Sequence, residues 1–172
     1  LVQVIRDATG ASFVHYTIEP GRISAEEIGG KYEIRFQLNG RVSDAAGKTV
    51  YQFDKDFPLS LTGGELEDVR AQSLSIQDAF PVVPGAYTFA LLLKNTLSKE
   101  FTGAGTTVVV PEASGPPGLG ALLLAYGAER SSAGPLERVP FKVGDTQILC
   151  QTRKTFGAGE SLVLFCQPYR LT

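Results

Sequence analysis

The chain has 172 residues, of which 43% are hydrophobic and 20% charged. That is enough for one large domain or two small ones, and too apolar for a disordered segment. Sixteen Lys and Arg against 18 Asp and Glu leave a formal net charge of -2; with no basic patch, nucleic acid and anionic membrane surfaces are not expected as partners. The longest apolar runs, such as Ala121 to Ala125 and Val108 to Val110, fall far short of the roughly 20 residues of a membrane helix. Neither a membrane-spanning segment nor a signal peptide is expected. The chain starts at Leu1 and contains no Met, which is expected of an excised or processed segment of a longer product.

In chain order, Ala11 to Ile18 is the first strand-like run and carries the only histidine, His15. Tyr32, Ile34, Phe36 and Leu38 then alternate with Glu33, Arg35 and Gln37, the pattern of a half-buried strand. Asp44-Ala45-Ala46-Gly47 reads as a hairpin turn, with Asp accepting backbone hydrogen bonds and Gly supplying the left-handed position. Asn39-Gly40 is a rival turn, but it leaves only Arg41-Val42-Ser43 before the next one, so a bulge in one long strand is the better reading. The return strand runs from Thr49 to Phe57, with Tyr51, Phe53 and Phe57 on one face and Lys55 between them. Thr62 and Glu65 have capping-box spacing, which makes 62–70 the best helical candidate, of one or two turns, with a loop held by the same capping bonds as the alternative. Ala71 to Ile76 reads as a short strand. Pro84-Gly85 suits a turn, and Tyr87 to Lys94 follows as a strand apolar on both faces. Thr106 to Pro111 closes the region.

Glu112 to Gly118, rich in Pro and Gly, reads as a linker. Beyond it lie four more strand-like runs, roughly Gly120–Glu129, Pro140–Val143, Gln147–Phe156 and Ser161–Leu171. The expected fold is all-β: two small immunoglobulin-like β-sandwich domains, mainly antiparallel, over 1–112 and 113–172. The second is short, and residues 1–18 are available to complete its sheets.

Cys150 and Cys166 flank Gly157-Ala158-Gly159. If that loop is a hairpin tip, the two cysteines oppose one another and can form a disulfide, which favours an oxidising compartment. The competing reading is two small buried thiols. Two thiols lack the further His or Cys ligands of a tetrahedral zinc site, so no metal is expected.

There is no Gly-x-Ser-x-Gly elbow, no Asp-Thr-Gly or Asp-Ser-Gly, no P-loop and no Gly-x-Gly-x-x-Gly. Asp7-Ala8-Thr9-Gly10 reads as a turn. Asp54, Asp56, Glu65, Glu67 and Asp68 lack EF-hand spacing, and Asp54 and Asp56, on the strand face opposite Phe53 and Phe57, are expected to face solvent. His15, without a partner in sequence, reads as structural. The chain has no Trp, and most Tyr and Phe fall in the inward phase of strands, so a sugar-stacking face is not indicated. No catalytic residue and no cofactor are expected.

Three phrases carry a resemblance: Asp54-Lys55-Asp56-Phe57-Pro58-Leu59-Ser60-Leu61, Pro84-Gly85-Ala86-Tyr87-Thr88-Phe89, and Lys94-Asn95-Thr96-Leu97-Ser98-Lys99-Glu100-Phe101. They resemble the C-terminal β-rich region of large secreted bacterial proteins of the GWxTD and von Willebrand factor A-related kind. The Gly-Trp-x-Thr-Asp motif and the Asp-x-Ser-x-Ser metal site are missing. The resemblance implies an accessory module of an exported protein in an extracytoplasmic setting. The expected function is a non-catalytic structural or protein-interaction module, its partner unknown or a second copy pairing through edge strands. The alternative is a carbohydrate- or peptide-binding sandwich.

Overall fold

The computed structural model describes residues 1–7, 9–72, 74–112, 118–133, 139–150, 152 and 155–169. Among them are twelve strands and one helix, in an all-β, sandwich-like arrangement of antiparallel sheets. The linker expected over 112–118 falls largely outside the described residues. The chain forms two compact units: unit 1 is Leu1–Thr17, Gln77–Ala86 and Val108–Thr172, and unit 2 is Ile18–Ile76 and Tyr87–Thr107.

Unit 2 is organised around one long hairpin. Strands β3 (Glu26–Ile28), β4 (Lys31–Asp44), β5 (Thr49–Leu61), β7 (Gly85–Asn95) and β8 (Phe101–Val110) form a five-stranded sheet in which β4 pairs with β3, β5 and β7. Alternation puts Ile34, Phe36, Leu38 and Val42 of β4 on the buried face, beside Phe89, Leu91 and Leu93 of β7. The hairpin turn is where the sequence places it. Asp44 Oδ1 accepts from the N–H groups of Ala46 at 2.9 Å and Lys48 at 3.0 Å, and Gly47 adopts φ 80°. β4 runs without interruption through Asn39-Gly40, and the register shift comes later, between Val42 and Ser43.

Among the described residues strand β5 pairs with β4 alone, and its composition guards the other edge. Asp54 and Asp56 are exposed, Pro58 lacks a donor, and Lys55 lies opposite buried Leu38 with its ammonium 5.7 Å from the Phe53 ring. Helix α1 (Gly63–Gln72) opens on the expected capping box. The Thr62 N–H donates to Glu65 Oε2 at 2.8 Å, and Thr62 Oγ1 accepts the Glu65 N–H at 3.4 Å. The Thr62 N–H and hydroxyl, both donating to Glu65 Oε2 at 2.8 Å, favour the ionised Glu65 carboxylate and lower its pKa. The helix occupies 71–72, and Leu74 and Ser75 are not in a strand, so the strand expected over 71–76 is replaced by the helix end and a connection to β6.

Unit 1 is built from two sheets. Strands β1 (Val2–Arg6), β2 (Ser12–Ile18) and β6 (Ile76–Val82) form a three-stranded sheet in the order β1-β2-β6. Strands β9 (Gly118–Arg130), β10 (Lys142–Val143), β11 (Thr146–Cys150) and β12 (Val163–Tyr169) form a four-stranded sheet in the order β10-β11-β9-β12. Between them lies a core in which Ile5 of the first sheet meets Ala121, Leu123 and Ala125 of β9, with Phe141, Ile148 and Cys150. The Gln167 amide ties the sheets at one end: it accepts the Arg6 N–H at 2.8 Å and donates to the Arg6 carbonyl at 2.7 Å, replacing the next strand of a ladder.

Candidate interaction surface

The hairpin expected between Cys150 and Cys166 does not form. Their strands, β11 and β12, both pair with β9, which lies between them. Two ladder spacings separate such strands by about 9.5 Å, beyond disulfide reach. They also face opposite ways: Cys150 pairs with buried Ala125, and Cys166 pairs with exposed Leu122. Both thiols are free. Burial pushes the Cys150 thiol up to about 11, so it stays protonated at neutral pH. The turn at Gly157–Gly159 does exist, closed by Glu160 N–H donating to the Gly157 carbonyl and by Gly159 at φ 89°, but its arms separate to either side of β9.

His15 is buried, and its Nδ1 accepts the Phe141 N–H at 2.8 Å. The neutral ring therefore carries its proton on Nε2. Its centroid lies 5.5 Å from that of Phe141 and 6.4 Å from that of Phe13. Burial pulls its pKa down from 6.5 to about 4, opposed by the nearby Asp78 charge. Phe141 itself is fully buried at φ 57°, a left-handed conformation that an aromatic residue rarely takes. Its N–H bond to His15 and its carbonyl bond from the Ile148 N–H at 3.0 Å hold it there. His15 is thus a structural acceptor.

The acidic residues of the sequence do not converge. Asp54, Asp56, Glu65, Glu67 and Asp68 are all exposed, Asp54 accepting from Asn39 Nδ2 and Glu67 from Arg70 Nη1 at 3.1 Å. Among the described residues, no three of His, Cys, Asp and Glu come together in a way that could hold a metal ion, and no helix is long and apolar enough to cross a membrane.

What the structure does gather is an exposed apolar face that sequence motifs could not reveal. The sheet β10-β11-β9-β12 packs Leu123, Ala125, Val163 and Phe165 inward. Its other side presents Leu122, Leu124 and Tyr126 from β9 and Leu164 and Cys166 from β12, with Leu162 just ahead of β12. The register places Leu124 beside Leu164 and Leu122 beside Cys166, so these side chains form one continuous surface. Leu119, opposite Pro168, extends it. Leu122 is 58% exposed, Leu164 62% and Leu119 74%. No ionisable carboxylate or cation occurs between Gly118 and Ala128 or between Val163 and Pro168. The signal was present in the sequence as the run Leu122-Leu123-Leu124, where every second residue had to point away from the core. Exposed leucines scattered singly are ordinary, but several side by side make a patch of a few hundred Å², and the largest patch on a monomer is often functional.

A second feature lies within unit 2. Pro20, Arg22, Asn95, Glu100 and Thr102 surround a hollow of about 270 Å³ with Phe101, 74% exposed, on its rim. Its polar groups are already engaged. Asn95 Nδ2 donates to the Ser24 carbonyl at 2.7 Å, and its Oδ1 accepts the Leu97 N–H at 3.2 Å. Glu100 accepts from the hydroxyls of Ser24 at 3.0 Å and Ser98 at 2.9 Å, which lower its pKa. Comparison with known proteins adds no assignment: no protein-family model, no curated protein and no solved structure matches this chain.

Proposed function

We propose that the chain is a non-catalytic protein-interaction module, and that its contact surface is the outward face of β9 and β12. The observation that carries this is the uncharged, leucine-rich outer side of a sheet whose inner side already has a complete core. An apolar face of this size is costly to leave in water and is best accounted for by a protein surface that covers it. The chemistry of the remaining groups favours the same reading. His15 has its acceptor nitrogen committed to a backbone N–H, and the Cys150 thiol is held protonated, so neither is poised as base or nucleophile. An exported, extracytoplasmic setting goes with this reading on the strength of the sequence resemblance, and nucleic acid is not among the proposed partners.

The test is a pair of charge substitutions, Leu122→Lys and Leu164→Glu, compared with the unaltered chain by dye uptake and thermal melting. A docking face predicts that the native chain binds an apolar fluorophore such as ANS, that each variant binds several-fold less, and that the melting temperature stays within a few degrees. A collapse of the melting temperature would show that these leucines belong to the folding core and would remove the reading.

The carbohydrate- or peptide-binding alternative has its own observation, the hollow rimmed by Phe101. It ranks second because the hollow is small for a ligand site and its Asn95 and Glu100 side chains are satisfied internally.

A further inference from the structure

We infer that the outward face of β9 and β12 is the contact between two copies of this chain, packed sheet against sheet across a two-fold axis. The inference rests on the interaction reading above and names its partner. A self-contact brings each residue near its own kind, so it tolerates only a patch without concentrated like charge. This face meets that condition: its exposed side chains are Leu122, Leu124, Tyr126, Leu162, Leu164 and Cys166, and no Asp, Glu, Lys or Arg lies among them in β9 up to Ala128 or in β12. The same absence leaves nothing to steer or orient a charged partner. The area suffices: with Leu119, Leu122, Leu124, Tyr126, Leu162 and Leu164 each between 37% and 74% exposed, the two faces together offer on the order of 1,000 Å², the size a specific protein interface has to clear. Face packing also suits the geometry better than strand addition, because β12 carries Pro168, which has no N–H to donate to an added strand. An interface at the small end of the range is expected to be transient, so its occupancy should depend on protein concentration.

Cys166 supplies a reporter, being the exposed thiol of the two and sited on this face beside Leu122. The experiment uses the 172-residue chain. Sedimentation velocity is run from about 1 to 300 µM, a range wide enough to reveal a transient self-association, and maleimide labelling of Cys166 is followed over the same concentrations. Dimerisation predicts a rise in sedimentation coefficient with concentration and at least a several-fold slowing of Cys166 labelling. Both effects should disappear in Leu164→Glu, whose far-UV circular dichroism matches that of the unaltered chain. Lys55→Ala, on the β5 edge, should leave dimerisation unchanged. A chain that stays monomeric at every concentration, or a dimer indifferent to Leu164→Glu, overturns the inference. ANS uptake separates the two failures. A monomer that still binds ANS at this face leaves the interaction reading intact with some other protein as partner, and a monomer that does not bind it removes both.

Discussion

At the scale of single residues, the sequence identified His15 as structural because nothing near it in the chain could work with it. Its actual partner, the N–H of Phe141, is 126 residues away and was beyond any local pattern. The consequence is a definite pH dependence. The folded His15 has a pKa of about 4 against 6.5 for the exposed ring. Between those values the unfolded chain binds a proton that the folded chain does not, so stability falls as pH falls. The slope is about 1.4 kcal/mol per pH unit, about 3 kcal/mol over the window, and it ends below the folded pKa. Denaturant titrations at pH 7, 6, 5 and 4 on the native chain and on His15→Asn should show this. Asn keeps a side-chain acceptor near the position of Nδ1 but does not titrate, so the variant should lose that part of the slope. Equal slopes in the two proteins would refute the assignment. The cysteines show the opposite limit of residue-level reasoning. Counting back from the Gly157–Gly159 turn put them opposite each other, but the count assumed that the two arms pair, and β9 enters between them.

At the scale of elements, what was legible was what is local. The capping box at Thr62 and Glu65, the Asp44–Gly47 turn and the alternation of β4 each depend on residues within a few positions of one another, and each is in place. β1, β3 and β6 were not found. β3 has three residues, β1 sits at the start of the chain, and β6 includes Asp78 and Pro81, which mask its alternation. Asn39-Gly40, a strong turn signal, passes straight through a strand for a steric reason. The Phe53 ring lies over Gly40 from the paired strand, and a Cβ on residue 40 would be 2.1 Å from its Cζ. Gly supplies the space the aromatic ring fills, a pairing that compensates a weak strand residue. Gly40→Ala should therefore cost about 1–3 kcal/mol through overpacking. In a Phe53→Ala background the same substitution should cost almost nothing, giving a large non-additive term in the double-mutant cycle. Additive costs, measured by urea unfolding, would show that the ring is not what excludes a side chain at residue 40.

At the scale of the whole molecule, the all-β class followed from alternation and turn spacing alone, whereas the grouping of strands depends on pairing between distant segments. Unit 1 takes strands from three separate stretches of chain, while unit 2 lies between them. A fragment of residues 113–172 lacks β1, β2 and β6, and with them Ile5 and the sheet that covers its inner face, so Ala121, Leu123, Ala125 and Phe141 would be left open to water. It should be unfolded by circular dichroism and proton NMR, whereas residues 18–107, which contain β3, β4, β5, α1, β7 and most of β8, should keep a cooperative melt. A folded 113–172 fragment would contradict this grouping. The same interleaving orders events during synthesis. As this stretch of polypeptide leaves the ribosome, β1 and β2 emerge about a hundred residues ahead of the four-stranded sheet that completes their core. Unit 2 can close once residue 107 is free, while β1 and β2 wait for β9 to β12. For that interval Val4, Ile5, Val14 and Tyr16 stay uncovered, a stretch of apolar strand of the kind a chaperone holds.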